Sequence, residues 1–327
     1  MANLQTRYMG LTLSNPFIVS SSGLTDSVEK VKKAAAAGAG AVILRSLFEE
    51  EIVNVVQKDA SLDTYSIHPE AAEYIDELGM LSQPDSYLEL VEQSVKVLDI
   101  PVIASLNCHT DKWWIEYAKR IEQMGAAALE LNIALIPVSV KESPESVEKT
   151  ICDIVKEAVA AVNIPVAVKI GSNFSSLPSF VNNLRRAGAS AVVLFNRYYR
   201  PDINIDTLEF KSGSPFSSEE EFPKVLRWIG ILSDLIDCDL SASTGVHSGA
   251  TAIKMILAGA DTVQVCTALY KNGMDSLPDM IKEMENWMDK KGYARISDFS
   301  SLLSLADDKK RIYYQRLQYV KALKGLK

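Results

Sequence analysis

The chain is poor in the features that mark a metal cluster, a membrane anchor or a nucleic-acid grip. Its 327 residues include four cysteines, Cys108, Cys152, Cys238 and Cys266, and none forms a CxxC pair. That spacing argues against a zinc or iron–sulfur site and for free thiols in a reducing cytoplasm. The longest apolar stretch, Ala34–Leu44, is broken by Gly38 and Gly40 and falls short of the roughly 20 residues that span a bilayer. The opening MANLQTRYMG carries no basic–apolar–small signal pattern, so the expectation is a cytoplasmic chain with no membrane partner. Basic residues are in deficit: 34 Lys and Arg against 42 Asp and Glu leave a net charge of −8, which argues against nucleic acid. No low-complexity linker divides the chain.

What is present is a repeated pattern: a short apolar run, a polar segment, then an amphipathic stretch. The runs are Phe17–Ser21, Val42–Leu44, Val102–Leu106, Leu129–Ile133, Val166–Ile170, Val192–Phe195, Leu240–Ser243 and Thr262–Val265, eight in all. Each is apolar on both faces, as a parallel strand covered on both sides requires. GAGAVIL, GAAALEL, GASAVVL and GADTVQV put Gly-Ala before a strand, while IPVIAS and IPVAVK use Ile-Pro. Helical periodicity marks Val28–Ala37, Tyr87–Val97, Trp114–Met124, Val147–Val162 and Thr251–Leu257. Eight strands alternating with helices predict a closed (β/α)8 TIM barrel, with an open doubly wound sheet as the rival architecture. Residues 1–327 read as one domain with long insertions after strands two (Ser46 to Ile100) and six (Arg197 to Asp239). Such insertions face the catalytic end of a barrel.

Polar residues gather where these strands end. They are Ser20, Ser21, Ser22 and Gly23, Arg45 and Ser46, Asn107 and Cys108, Glu130 and Asn132, Lys169, Asn196 and Arg197, Ser243 and Thr244, Cys266 and Thr267. A lone polar strand end is as readily structural; the same feature on nearly every strand predicts a polar mouth. In STGVHSGATAIKMILAGA, the loop amides near Gly245 and the helix opening at Gly249–Thr251 suit a phosphate, with Cys266 and Thr267 beside them. The rival reading there is a tight turn before a capped helix. Lys169, inside the apolar VAVKIGS, needs a partner or a function. It is either a cation for a reduced flavin ring or the partner of Glu130, and the two are compatible.

Taken in order, these motifs resemble the dihydroorotate dehydrogenase family and the related barrel of dihydropyrimidine dehydrogenase, over nearly the whole chain. NPFIVSSSG resembles the family's first strand and FMN loop; VIASLNCHTDKWWIEYAKRIEQMGAAALELN is close to the pyrimidine-reducing branch; AVKIGSN resembles the flavin-lysine strand; STGVHSGATAIKMILAGADTVQVCTALY resembles the phosphate half. The resemblance implies FMN as cofactor, held by Ser21, Ser22, Gly23, Asn107, Asn132, Lys169, Asn196, Thr244, Gly245, Cys266 and Thr267. It implies hydride transfer between a dihydropyrimidine-like small molecule and FMN N5, with Asn132, Arg45 and Cys108 on the catalytic side, and a homodimer as assembly.

The sequence also departs from the family. Where the family carries a Cys or Ser base after ELN, this chain has Leu135, followed by Ile136 and Pro137. Loss of a general base costs about 10²–10⁴ in rate. The lysine of the second strand is Arg45, the residue after the strand-six asparagine is Arg197, and the Gly-Gly turn is Thr244-Gly245. ELGMLSQP has no counterpart of the family's Asn-rich substrate loop. Cys108, His109, Ser139 and Ser143 are the candidate replacement bases. The readings that follow are a dihydropyrimidine dehydrogenase, a flavin reductase for an anion gripped by Arg45 and Arg197, and an FMN- or phosphate-binding barrel without turnover.

Overall fold

The computed structural model describes residues 2–49, 51, 84–107, 114–198, 200–305, 319–321 and 323–325. The chain opens with an antiparallel hairpin, β1 (Thr6–Tyr8) and β2 (Leu11–Leu13). The next six strands are β3 (Phe17–Val19), β4 (Ala41–Phe48), β5 (Val102–Asn107), β6 (Ala128–Asn132), β7 (Val166–Ile170) and β8 (Ala191–Leu194). After a second hairpin, β9 (Pro201–Asn204) and β10 (Glu209–Ser212), come β11 (Asp239–Ser243) and β12 (Thr262–Val265). Strands β3 to β8, β11 and β12 pair in parallel as a closed barrel, β12 returning to β3. Closure excludes the open doubly wound sheet.

The intervening helices are α1 (Val28–Ala36), α2 (Pro84–Val97), α3 (Trp114–Gln123), α4 (Pro144–Ala161), α5 (Leu177–Arg186), α6 (Phe222–Leu232), α7 (Gly249–Ala258), α8 (Thr267–Asn272) and α9 (Ser276–Lys291). Helix α4 starts before the expected Val147 because Ser143 accepts the Ser146 amide hydrogen bond and Pro144 suits the first turn. Among the described residues, no helix is long and apolar enough to cross a membrane, and no group of His, Cys, Asp or Glu is placed to hold a metal ion.

Strand alternation sorts each barrel residue to the inside or the outside. Phe17, Val19, Val42, Leu44, Val102, Leu106, Leu129, Leu131, Val166 and Val168 pack outward in the main core under the helices. A second cluster fills the barrel at the strand starts: Ile18, Ala41, Ile43, Ile103, Ala128, Ala167, Ala191 and Val193. Four of these are alanines, and the space they leave is taken by Tyr8, Met9 and Leu13 of the first hairpin. A tight two-residue turn makes that insertion feasible, with φ of 53° at Met9 and 75° at Gly10. The Met9 amide donates to Asp239 Oδ2 at 2.6 Å, tying the hairpin to β11. The N-terminal end of the barrel is therefore stoppered.

Further along the same inward positions the residues become polar: Ser20, Ser105, Asn107, Glu130, Asn132, Lys169, Ser241, Ser243 and Gln264. Two local features differ from expectation. Strand β4 runs to Phe48, so Arg45 and Ser46 lie within the strand; a register shift between Ile43 and Ser46 re-aims them, and Ser46 shares a hydroxyl hydrogen bond with Ser105 at 2.8 Å. The segment after β8 builds the β9–β10 hairpin and a short 3-10 turn, Glu219–Glu221, before α6. Most of the segment after β4, and Cys108 and His109, lie outside the described residues.

Candidate functional site

Register puts three amide or ammonium side chains at one level on adjacent strands. Asn132 pairs with Lys169, and Leu106 pairs with Leu131, so Asn107 stands beside Asn132. Asn107 is fully buried, yet neither Nδ2 nor Oδ1 has a hydrogen-bond partner among the described residues. Buried amides are seldom left so unless something else meets them. Asn132 Oδ1 accepts from Asn196 Nδ2 at 2.7 Å, joining the ends of β6 and β8 across β7.

Lys169 is buried at the mouth, and its ammonium donates to Ser20 Oγ at 3.2 Å and Gln264 Oε1 at 3.1 Å. Glu130 Oε1 is 3.8 Å away, an ion pair without a close hydrogen bond. Gln264 Nε2 donates to Glu130 Oε2 at 2.6 Å, and Ser20 Oγ donates to Gln264 Oε1 at 3.0 Å. Of the two readings of Lys169, the geometry bears on the pairing with Glu130, which lies below it at ion-pair distance. Sequence reading did not single out Gln264. Its signal was there, a polar residue at an inward position of the apolar strand TVQV.

The next group lies past β11 and β12. Thr244 and Gly245 both have φ of 78°. Gly245 is required there, because a Cβ would lie 2.5 Å from the Phe222 backbone nitrogen. A β-branched residue at such a φ is strained, and Thr244 is held by donating from Oγ1 to the Phe195 carbonyl at 3.0 Å. Ser248 caps α7 by accepting from the Thr251 amide. Cys266 precedes α8, and burial pushes its thiol upward against the pull of the Ser22 hydrogen bond and the Lys169 charge. Thr267 Oγ1 accepts from the Ser217 amide at 3.2 Å, while Ser217 Oγ meets His247 Nε2 at 3.1 Å. Burial, then the charge of Lys271, lowers the His247 pKa. Gly23 lies against Tyr270, whose hydroxyl would be 2.7 Å from an added Cβ. Ser21 Oγ reaches Ser46 Oγ at 3.2 Å.

The two arginines are engaged by carboxylates. Arg45 is buried and makes a two-pronged contact with Glu51, at 2.9 and 3.1 Å, with its guanidinium over the Tyr87 ring. Arg197 is within 3.4 Å of Glu221 and donates to the Ser214 and Pro215 carbonyls. Ser139 and Ser143 serve local backbone amides at exposed positions, Lys141 and Ser146 respectively. Leu135 is partly buried and packs on the main core beside buried Ile133 and Ala134.

Comparison with known proteins places the chain in a family. Residues 3–288 match the family model described as dihydroorotate dehydrogenase. The chain is 26% identical to the catalytic subunit of dihydroorotate dehydrogenase B (NAD(+)) from Thermoplasma acidophilum, over 91% of this chain and 98% of that protein. It is 27% identical to the same subunit from Methanosarcina mazei, over 90% and 93%. It is 24% identical to the chloroplastic dihydropyrimidine dehydrogenase (NADP(+)) of Arabidopsis thaliana, over 91% and 76%. A parallel eight-stranded barrel with its polar residues at the strand ends, matched over most of its length, belongs to the dihydroorotate dehydrogenase family of oxidoreductases.

Proposed function

We propose that this chain is an FMN-dependent oxidoreductase that exchanges hydride with a dihydropyrimidine-like ring. The observation that carries the reading is the level shared by Asn107, Asn132 and Lys169, with the Asn107 amide unpartnered on both sides among the described residues. A flat heterocycle with alternating donors and acceptors meets such a set. The turn at Thr244–Gly245 and the start of α7 offer backbone amides to a phosphate. The residues present therefore fit FMN.

When bound, FMN supplies the hydride-accepting centre. Lys169 offers positive charge to the ring edge that becomes electron-rich. Asn132 and Asn196, already joined, orient the substrate's carbonyl and N–H groups. Leu135, at the position where the family's base stands, cannot exchange a proton with carbon. We assign that exchange to Cys108 or His109, which follow β5 in the sequence. Relatives named as catalytic subunits support a partner subunit that takes the electrons onward. A homodimer remains part of the proposal.

Leu135 favours a second reading, in which the barrel holds FMN without turning over dihydroorotate. An anion-gripping mouth is the weaker reading, because Arg45 and Arg197 each already face a carboxylate. An anaerobic visible spectrum of the purified protein, loaded with FMN, separates these. Bleaching on addition of dihydroorotate is the expected result. Flavin bands that persist favour the second reading, and a protein that takes up no FMN overturns both.

A further inference from the structure

We infer that Gln264 is a positioning residue: it holds the Lys169 ammonium at the barrel mouth against the pull of Glu130, and so sets how much positive charge a bound ring meets. This rests on the FMN reading above. The orientation of the Gln264 amide is forced. An ammonium only donates and an ionised carboxylate only accepts, so the amide oxygen faces Lys169 and its nitrogen faces Glu130. One side chain thus grips both members of a buried ion pair.

The pair itself is held apart. Glu130 sits one inward layer below Lys169, since Glu130 pairs with Ala167 and Asn132 with Lys169. Its Oε1 is buried with no hydrogen bond, and the ammonium stands 3.8 Å off. A buried carboxylate oxygen draws a neighbouring cation strongly. Two acceptors, Gln264 Oε1 and Ser20 Oγ, keep the ammonium at the upper layer beside Asn132. Without the glutamine, Lys169 is free to close on Glu130, and the charge leaves the mouth. Without the charge on Glu130, Lys169 stays up and is less neutralised. The two changes act in opposite directions on the same property.

Gln264→Met keeps the volume and removes both polar contacts; Glu130→Gln keeps the shape and removes the charge. A crystal structure of ligand-free Gln264→Met is expected to show Lys169 Nζ within hydrogen-bond distance of Glu130; an unmoved ammonium overturns the inference. In FMN-loaded protein, Gln264→Met is expected to lower the flavin midpoint potential by on the order of a tenfold loss of preference for the reduced ring, about 30 mV for a two-electron couple. Glu130→Gln is expected to raise it. Adding Gln264→Met to Lys169→Met is expected to shift the potential no further than Lys169→Met alone. Shifts of the same sign in the two single variants, or additive shifts in the double variant, overturn the inference. Should the wild type bind no FMN, the FMN reading fails, and the position of Nζ in the ligand-free structures alone decides the role of Gln264.

Discussion

At the residue scale, single side chains are fixed by what little room or water they are given. Gly245 combines a left-handed φ with backbone 2.5 Å from where a Cβ would lie. Gly245→Ala is expected to destabilise the fold by roughly 2 kcal/mol or more, the range of conformational and steric backbone effects combined. Urea unfolding checks this, and an unchanged midpoint would refute it. Asp261, just before β12, shows the effect of burial. Desolvation pushes its carboxyl up to about 7, with Asp239 adding to the rise and the hydrogen bond from the Leu240 amide opposing it. A carboxyl whose folded pKa lies above its unfolded value holds its proton better in the native state. Its contribution is therefore complete below about pH 4 and is lost as the pH climbs toward 7. Asp261→Asn keeps an acceptor for Leu240 and cannot ionise. Its thermal midpoint is expected to fall less than the wild type's between pH 5 and pH 8; parallel curves would count against this.

At the scale of elements, the first hairpin acts as a plug, and Tyr8 is the largest side chain it buries in the barrel. Tyr8→Ala leaves a void lined by strands that cannot collapse inward, and a cost on the order of 3–5 kcal/mol is expected. Calorimetry would show it as a lower Tm; a loss below 1 kcal/mol would mean the hairpin is dispensable. This element was not legible beforehand. TRYMGLTL carries no apolar run of the kind that marks the barrel strands, and nothing local says that Tyr8 fills the space left by Ala41, Ala128, Ala167 and Ala191. The eight barrel strands were legible because each is buried on both faces and leaves a short, largely apolar run. The strand-end polar residues were legible for the same reason, by contrast with those runs. The strand-end pattern finds Glu130, Asn132 and Lys169 but leaves out Gln264, which only the periodicity inside the strands adds to them. Reading every second residue in LELN, AVKI and TVQV picks out Glu130, Asn132, Lys169 and Gln264. Arg45 reads as a strand end because the apolar run stops at Leu44; the continuation of β4 to Phe48, past a register shift between Ile43 and Ser46, leaves no compositional mark.

For the whole molecule, the stoppered N-terminal end has a kinetic meaning. A barrel corked at one end is a room with a single door. Under the proposed function, the reductant and any small-molecule oxidant that acts on this chain directly, without the partner subunit, must use that door by turns, since the layer of Asn107, Asn132 and Lys169 has the packed residues of the plug behind it. Product must vacate before the next visitor enters. Steady-state rates are then expected to give parallel double-reciprocal lines when the two substrates are varied, and intersecting lines would show that both are housed at once. Architecture alone, before any chemistry, imposes a queue.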